Sequence, residues 1–361
     1  MNTADHGQED IKAIVQDLGP DAHRFAGKTV LLAGGAGFLG RYFISVFRHL
    51  NAAVLKAPCK ILSADNFITG DKMALAEDSR SDPNILSVWA DITYPLPVRE
   101  KLDFIIHAAG IASPVYYMKY PLETIEGAVQ GTKNLMELAR MNESLEGFLY
   151  FSSSEIYGDP DPKAVPTPET YHGYVSSVGP RACYDESKRL GETISTIYQQ
   201  RYNVPVTIVR PFNVFGPGMQ HNDRRVIPMF TYEALNGRAL PVHGDGAQTR
   251  TFCYISDAIS GFLKALLKGK RGDAYNIGNS NNEISMADLA RMYARVVPGS
   301  TVRFIPYPST YPAGEPQRRC PDLTKAATDL GYHAKIELQE GLRRFVAWAR
   351  ERDNYRGQPD A

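Results

Sequence analysis

From Lys28 to Arg210, short apolar runs alternate with longer amphipathic stretches. Thr29–Ala33, Lys60–Ala64, Ile85–Ala90, Asp103–His107, Gly147–Ser152 and Val204–Arg210 are rich in β-branched and aromatic residues and apolar on both alternating faces. That is the pattern of strands covered on both sides in a parallel sheet. Pro121–Arg140 and Pro180–Arg201 have helical spacing and the length that right-handed crossovers between parallel strands require. The alternation predicts an α/β fold with a doubly wound parallel sheet. Ahead of it, Ile11, Ile14, Val15 and Leu18 fall at i, i+3, i+4 and i+7. They predict a short helix closed by Gly19-Pro20, an accessory turn within an amino-terminal extension over residues 1–26. Beyond Pro211, loops rich in Pro, Gly and polar residues (Phe212–Asp223, Pro241–Arg250, Tyr307–Cys320) alternate with short helices. The expected division is a sheet domain over 27–210, continued by 247–278, and a smaller carboxyl-terminal substrate-binding lobe built from 211–246 and 279–361.

Charge and composition narrow the class of partner. Lys plus Arg and Asp plus Glu both total 40 among 361 residues, which removes the bulk field a dedicated nucleic-acid or anionic-membrane binder would use. Neither partner is expected. No apolar stretch approaches the ~20 residues of a membrane span, and Met1–Asp10 has no cationic segment followed by an apolar run. Cys59, Cys183, Cys253 and Cys320 are scattered without a C-x-x-C pair, so neither a zinc site nor a disulfide framework is expected, and a reduced, cytoplasmic setting is the default.

The first strand runs into Gly34-Gly35-Ala36-Gly37-Phe38-Leu39-Gly40. Glycines 34 and 37 allow a tight turn and close backbone approach to a pyrophosphate, Gly40 allows helix and strand to touch, and the helix start at Phe38 and Leu39 supplies unpaired N–H donors. This predicts a Rossmann dinucleotide site. The second strand ends at Asp65-Asn66, where a carboxylate can accept hydrogen bonds from the adenosine ribose and repel a 2′-phosphate, favouring NAD over NADP. Asp65 lies 31 residues after Gly34, farther than the usual ~20, with Asn51–Pro58 as the apparent insertion. Asp65 can also be read as a turn residue. Asp91-Ile92, after the third strand, is placed to contact adenine or to cap the strand.

Tyr184 and Lys188 are four residues apart on one helix face. An ammonium beside a phenol lowers its pKa toward that of a working base. The preceding strand ends Tyr150-Phe151-Ser152-Ser153-Ser154-Glu155, and its carboxyl end is where this fold presents the nicotinamide. Ser153 would then hydrogen-bond the oxygen that Tyr184 deprotonates.

Gly34–Gly40, Ser153 and Tyr184/Lys188 resemble the extended short-chain dehydrogenase/reductase superfamily of nucleotide-sugar epimerases, dehydratases and decarboxylases. Asp65–Gly70, Ala112-Ser113-Pro114, Ser154–Pro160, Gly179–Glu186 and Gln248–Phe252 resemble its UDP-glucuronate decarboxylase branch, from Lys28 to the end of the chain. The resemblance implies a nucleotide-sugar substrate, a UDP-sugar by preference, bound NAD, Ala108 beside the cofactor, and a homodimer. It implies Tyr117 near the sugar carboxylate, Asn213 beside sugar and diphosphate, Arg225 as an active-site arginine, and Arg250 on the diphosphate. Tyr117 can equally pack, Asn213 cap a turn and Arg225 lie in solvent. Ala128 and the run His107-Ala108-Ala109-Gly110 depart from the family pattern, where Asn and His-Leu-Ala-Ser are usual.

The implied chemistry is oxidation at sugar C4, loss of CO₂ from the β-keto acid and reduction back at C4, with Ser153, Glu155, Tyr184, Lys188 and Arg225 as the catalytic set. Glu155 orients the ring or manages a proton. The alternatives are a 4,6-dehydratase, a 4-epimerase, which needs no Glu155, and a non-catalytic NAD-binding regulator. Ser154 stands where many dehydratases carry Asp. The dimer is expected to pair Pro121–Arg140 and Pro180–Arg201 with their symmetry mates through Leu135, Leu138, Ala139, Leu190, Ile194 and Ile197.

Overall fold

In the computed structural model the described residues are 7–73, 80–223, 225–281, 283–307 and 316–357. Seven parallel strands form the main sheet: β1 (Thr29–Ala33), β2 (Lys60–Asp65), β3 (Ile85–Trp89), β4 (Phe104–His107), β5 (Gly147–Phe151), β6 (Val206–Pro211) and β7 (Ala274–Ile277). Their order is β7-β6-β5-β4-β1-β2-β3, so the winding reverses between β1 and β4, and a crevice opens at the carboxyl ends of those strands.

The first six strands lie where the apolar runs predict them. β7 falls within 247–278, the stretch expected to continue the sheet domain, but no apolar run marks it as a strand, because its four residues include a polar Asn276 that is wholly buried. That amide is satisfied on every side, accepting from Tyr157 Oη at 2.8 Å and donating to the carbonyls of Thr167 and Asp322. β3 departs from its two-sided apolar reading. It is the sheet edge, where Leu86, Val88 and Trp89 stay exposed.

The helices correct two further expectations. Pro121–Arg140 is helical from end to end but not uniformly α: α4 (Pro121–Glu126) runs through a wide π turn over Gly127–Gly131 into α5 (Thr132–Met141), with α3 (Pro114–Lys119) before it. Glycines bracket the turn, where helix propensity is lowest, and Thr132 Oγ1 donates to the Ala128 carbonyl at 2.6 Å. Pro180–Arg201 is a single helix, α6 (Ala182–Tyr202). The second correction concerns α1 (Gln8–Leu18), which is no accessory turn. Its Ile11, Ile14 and Leu18 join the main core with Ala22 and Phe25 of the following 3-10 turn. α1 packs on α2 (Phe38–Ala53) and on α8 (Ile255–Lys268), whose faces are buried almost all round.

Polar contacts fix the same seam. Asp17 pairs with Lys264 at 2.8 Å, and Asp10 is buried against Tyr254 Oη at 2.7 Å and Arg344 Nη1 at 2.9 Å. Beyond the sheet, α7 (Val226–Leu235) and α9 (Met286–Val296) pack on a parallel pair formed by Leu240–His243 and Val302–Ile305, and, after α10 (Thr324–Leu330), α11 (Leu338–Arg350) packs on those two helices. All four cysteines carry free thiols. Among the described residues no helix is long and apolar enough to cross a membrane, and no group of three His, Cys, Asp or Glu is placed to hold a metal ion.

Candidate active site

A cleft of about 2460 Å³ runs from the glycine loop across the strand ends to the carboxyl-terminal helices. Gly34 has φ +91°, and a Cβ there would sit 2.6 Å from the Ala109 amide nitrogen, while one on Gly40 would strike the Gly34 carbonyl. Both glycines are required by the protein's own packing. Gly37 differs, because a Cβ there would meet nothing nearer than the Gly34 carbonyl at 3.5 Å. The space over it belongs to the cleft, and Gly37 opens α2 with no side-chain cap, leaving the first helical N–H donors to a ligand. This cradle fits a dinucleotide pyrophosphate, with Gly34, Gly37, Phe38, Leu39, Gly40 and Ala108 all lining it.

Asp65 stands at the carboxyl end of β2 and accepts from the Ala36 amide at 3.0 Å and the Phe67 amide at 2.8 Å. It therefore braces the glycine loop directly, and burial raises its carboxyl pKa. Asn66 Nδ2 donates to Asp91 at 3.4 Å, Asp91 also caps Thr93, and the Ile92 side chain is buried in a core cluster with Leu31, Leu62, Ile105 and Tyr150 of the sheet. These four residues flank the cleft at the strand ends and do not line it.

β5 delivers Ser153, and α6 brings Tyr184 and Lys188 to the same wall; all three are buried. The Ser153 hydroxyl, which accepts from the Glu155 amide at 3.2 Å, lies beside Tyr184 and favours its ionised form, and the Tyr184 ring stacks on Tyr117 at 5.3 Å. Lys188 Nζ donates to the Phe151 carbonyl at 2.7 Å and lies 5.9 Å from the Tyr184 ring centre. The lowered phenol expected from this lysine is not found. Burial pushes Tyr184 up to about 12 against the lowering hydrogen bond of Ser153 and the charge of Arg225, and burial lowers Lys188 itself to about 8. Desolvation outweighs the pair's attraction.

Glu155 faces the cleft from the turn after β5, clamped by Arg181 and by both terminal nitrogens of Arg319, with Arg250 close behind. Although burial opposes ionisation, these guanidinium charges hold Glu155 at about 2. It is a fixed anion. Arg225 Nε and Nη2 are held by the Asp223 carboxylate at 2.6 and 2.5 Å, and Asp223 is tied to the opposite wall by Ser113 Oγ on its carbonyl at 3.1 Å. Arg250 is buried on the cleft wall, its Nη1 donating to the Thr249 carbonyl. Asn213, at φ 39°, spends its Nδ2 on the Thr251 carbonyl at 2.9 Å, so it shapes the wall beside Arg250.

Arg181 and Arg319 were not among the expected site residues. Arg181 lies in the Pro180–Glu186 run, but nothing in its spacing points to Glu155. Arg319 sits in a polar loop 164 residues away in sequence, and only the fold makes it a buried cation.

A parallel sheet with a glycine cradle at its switch point and a Ser–Tyr–Lys set at the next strand end defines an NAD-dependent oxidoreductase-type fold acting on a hydroxyl group. Residues 30–278 match the model of the NAD dependent epimerase/dehydratase family, and the chain belongs to that family. It is 37% identical over 327 residues to UDP-glucuronic acid decarboxylase 2 of Arabidopsis thaliana, covering 90% of this chain and 69% of that one. UDP-glucuronic acid decarboxylase 1 of Xenopus tropicalis is 37% identical over 326 residues, 90% of this chain and 72% of that one. Among solved structures, the dTDP-glucose 4,6-dehydratase DesIV of Streptomyces venezuelae, determined with NAD and TYD bound, superposes with a TM-score of 0.78 at 26% identity, covering 91% of this chain and 98% of that one.

Proposed function

We propose that this chain decarboxylates UDP-glucuronate to UDP-xylose, with Ser153, Glu155, Tyr184, Lys188 and Arg225 as its catalytic set. The observation that carries this reading is the fixed charge of Glu155 beside Tyr184 and Ser153. A 4,6-dehydratase needs an acid for its departing hydroxyl; Ser154 stands where many dehydratases carry Asp, and Glu155, held as an anion by Arg181 and Arg319, is no substitute for that acid but can orient a sugar ring. The similarity to two UDP-glucuronic acid decarboxylases supports the same choice.

When bound, NAD supplies a hydride acceptor and donor for sugar C4 and a positive ring next to the phenol, held by Gly34, Gly37, Phe38, Leu39, Gly40 and Ala108, with Asp65, Asn66, Asp91 and Ile92 at the adenosine end. Tyr184 takes the proton of the C4 hydroxyl, and Lys188 and Ser153 favour its phenolate. The resulting 4-ketone is β to the C6 carboxylate, so the C5–C6 bond breaks and its electron pair passes to the C4 oxygen, where Ser153 and Tyr184 donate hydrogen bonds. CO₂ leaves, C5 takes a proton from Arg225 or a water, and Tyr184 returns its proton to the C4 oxygen as C4 is reduced. Arg225, with Nη1 left over from its fork on Asp223, meets the carboxylate end together with Tyr117, while Arg250 and Asn213 meet the diphosphate. The carboxyl-terminal lobe, 211–246 with 279–361, binds the nucleotide sugar.

We further propose a homodimer through α4 and α6, where Leu122, Ile125, Leu190 and Ile197 are exposed. Leu135 and Ala139, assigned to that seam from the sequence, are instead buried in the core. Incubating the purified protein with UDP-, GDP-, CDP- and dTDP-sugars and weighing the products tests the substrate assignment: UDP-glucuronate should lose the mass of CO₂. Sedimentation at micromolar concentration tests the dimer.

A further inference from the structure

Next to Tyr184 on α6, the reaction as derived leaves one buried carboxylate without a task. Asp185 has an exposed side-chain fraction of only 10%. Its Oδ1 is buried with no hydrogen-bond partner among the described residues, and its Oδ2 reaches only the Arg181 Nε, at 3.5 Å. Arg181 is shared. Its Nη2 is committed to Glu155, which also holds Arg319. The charged groups around Asp185 are therefore Arg181 from its own helix start, Glu155 from the turn after β5, and Arg319 from the short strand Arg318–Arg319, with the Tyr184 phenol and the Cys183 thiol as the neighbouring acids.

Two carboxylates thus compete for one guanidinium, and Glu155 has the better geometry. An ionised Asp185 with a bare buried oxygen would carry a heavy desolvation cost, whereas a neutral carboxyl does not draw Arg181 away from Glu155.

We propose that Asp185 is a positioning residue that acts through Arg181: uncharged, it leaves Arg181 to hold Glu155 against the cleft, and charged, it draws Arg181 back and loosens Glu155. Burial first, then the Glu155 charge, raises the Asp185 carboxyl to about 7 against the lowering effect of Arg181 and Arg319, which puts the change within the working range. The folded group titrates above the ordinary carboxylate value, so the protonated, Glu155-holding state fills at lower pH and empties as pH rises through about 7.

The inference that Asp185 is proton-bearing stands apart from the substrate assignment, and one measurement reads it without substrate. In the infrared difference spectrum of the NAD-loaded wild type minus Asp185→Asn, a protonated-carboxyl C=O band should be present at low pH and vanish on raising the pH. Its absence on the acid side overturns the proposal whatever the protein acts on. The second readout, which rests on the decarboxylase reading, is the pH profile of kcat and KM on UDP-glucuronate. Wild-type kcat/KM should fall as the carboxyl ionises. Asp185→Asn, isosteric and permanently neutral, should keep the acid-side activity within ~3-fold and lose that limb, and Asp185→Glu should retain a limb at a displaced pH. A uniform loss in Asp185→Asn with the limb unmoved marks a merely structural residue and contradicts the proposal. If no variant turns over UDP-glucuronate but the band titrates, the substrate reading fails and the Asp185 assignment stands.

Discussion

In the proposed reaction, Ser153, Tyr184 and Glu155 divide the chemistry by environment. Tyr184 is desolvated and rests high, at about 12, so acting as a base would depend on the charges that arrive with the ligands; Glu155 is pinned as an anion by arginines. Tyr184→Phe should abolish hydride transfer, so that neither NADH absorbance nor CO₂ appears in single-turnover assays. Ser153→Ala should lower kcat by about 10²–10³, the usual cost of losing one preorganised donor, with KM little changed. Arg225→Ala should impair decarboxylation more than the first oxidation, so that NADH and the keto acid accumulate; equal loss of both steps would detach Arg225 from the carboxylate end. Tyr184, Lys188 and Ser153 were legible because a helix repeat and a strand end fix where they face. Arg181 and Arg319 were not, since an arginine in a polar loop looks the same in sequence whether it is solvated or buried against a glutamate.

At the level of elements, periodicity recovered six strands and α6, although β3 leaves most of its apolar side chains exposed at the sheet edge and α6 buries mainly polar ones. It missed β7, where a buried, fully hydrogen-bonded Asn276 interrupts the run, and it joined α4 and α5 across a π turn whose glycines leave the apolar spacing intact. α1 was visible, but its importance was not: only the fold reveals that Ile14 faces α2 and α8. Ile14→Ala should cost about 2–4 kcal/mol of stability as a buried large-to-small change, read from the shift in urea midpoint; a shift under ~0.5 kcal/mol would show α1 to be dispensable. Gly34→Ala combines a strained φ with a clash on Ala109 and should both destabilise the fold and abolish NAD binding. On β4, burial and then the Lys188 charge lower His107 to about 3. Its folded pKa lies below the unfolded value of 6.5, so the stability it contributes is present above pH 6.5 and is lost as pH falls toward 3. Asp185, raised to about 7 from 3.8, acts in the opposite direction between those values. Removing His107 with His107→Gln should therefore make urea stability rise more steeply, or fall less, on acidification from pH 6.5.

Across the whole molecule, the apolar core is continuous from Phe25 and Phe47 through the sheet to Phe345 and Tyr355, so the glycine cradle and the arginine wall are held on one packed body. Loop 221–223 bridges the cleft from the far side: Ser113 holds the Asp223 carbonyl and Asn222 Nδ2 reaches Tyr116 Oη at 3.3 Å. No sequence pattern signals that bridge, because its partners are more than a hundred residues apart and each is an ordinary polar residue. Its effect is to fix Asp223, and through Asp223 the Arg225 fork, opposite Tyr184 and Ser153. On the proposed reading, a carboxylate-bearing sugar would bind there, next to the oxidising end of the cleft. Product identification on UDP-glucuronate with the NAD-loaded protein tests this claim most directly. The account predicts CO₂ and UDP-xylose in equal amounts with no net NADH; intact UDP-glucuronate, alongside conversion of a neutral hexose nucleotide to its 4-keto-6-deoxy product, would contradict it.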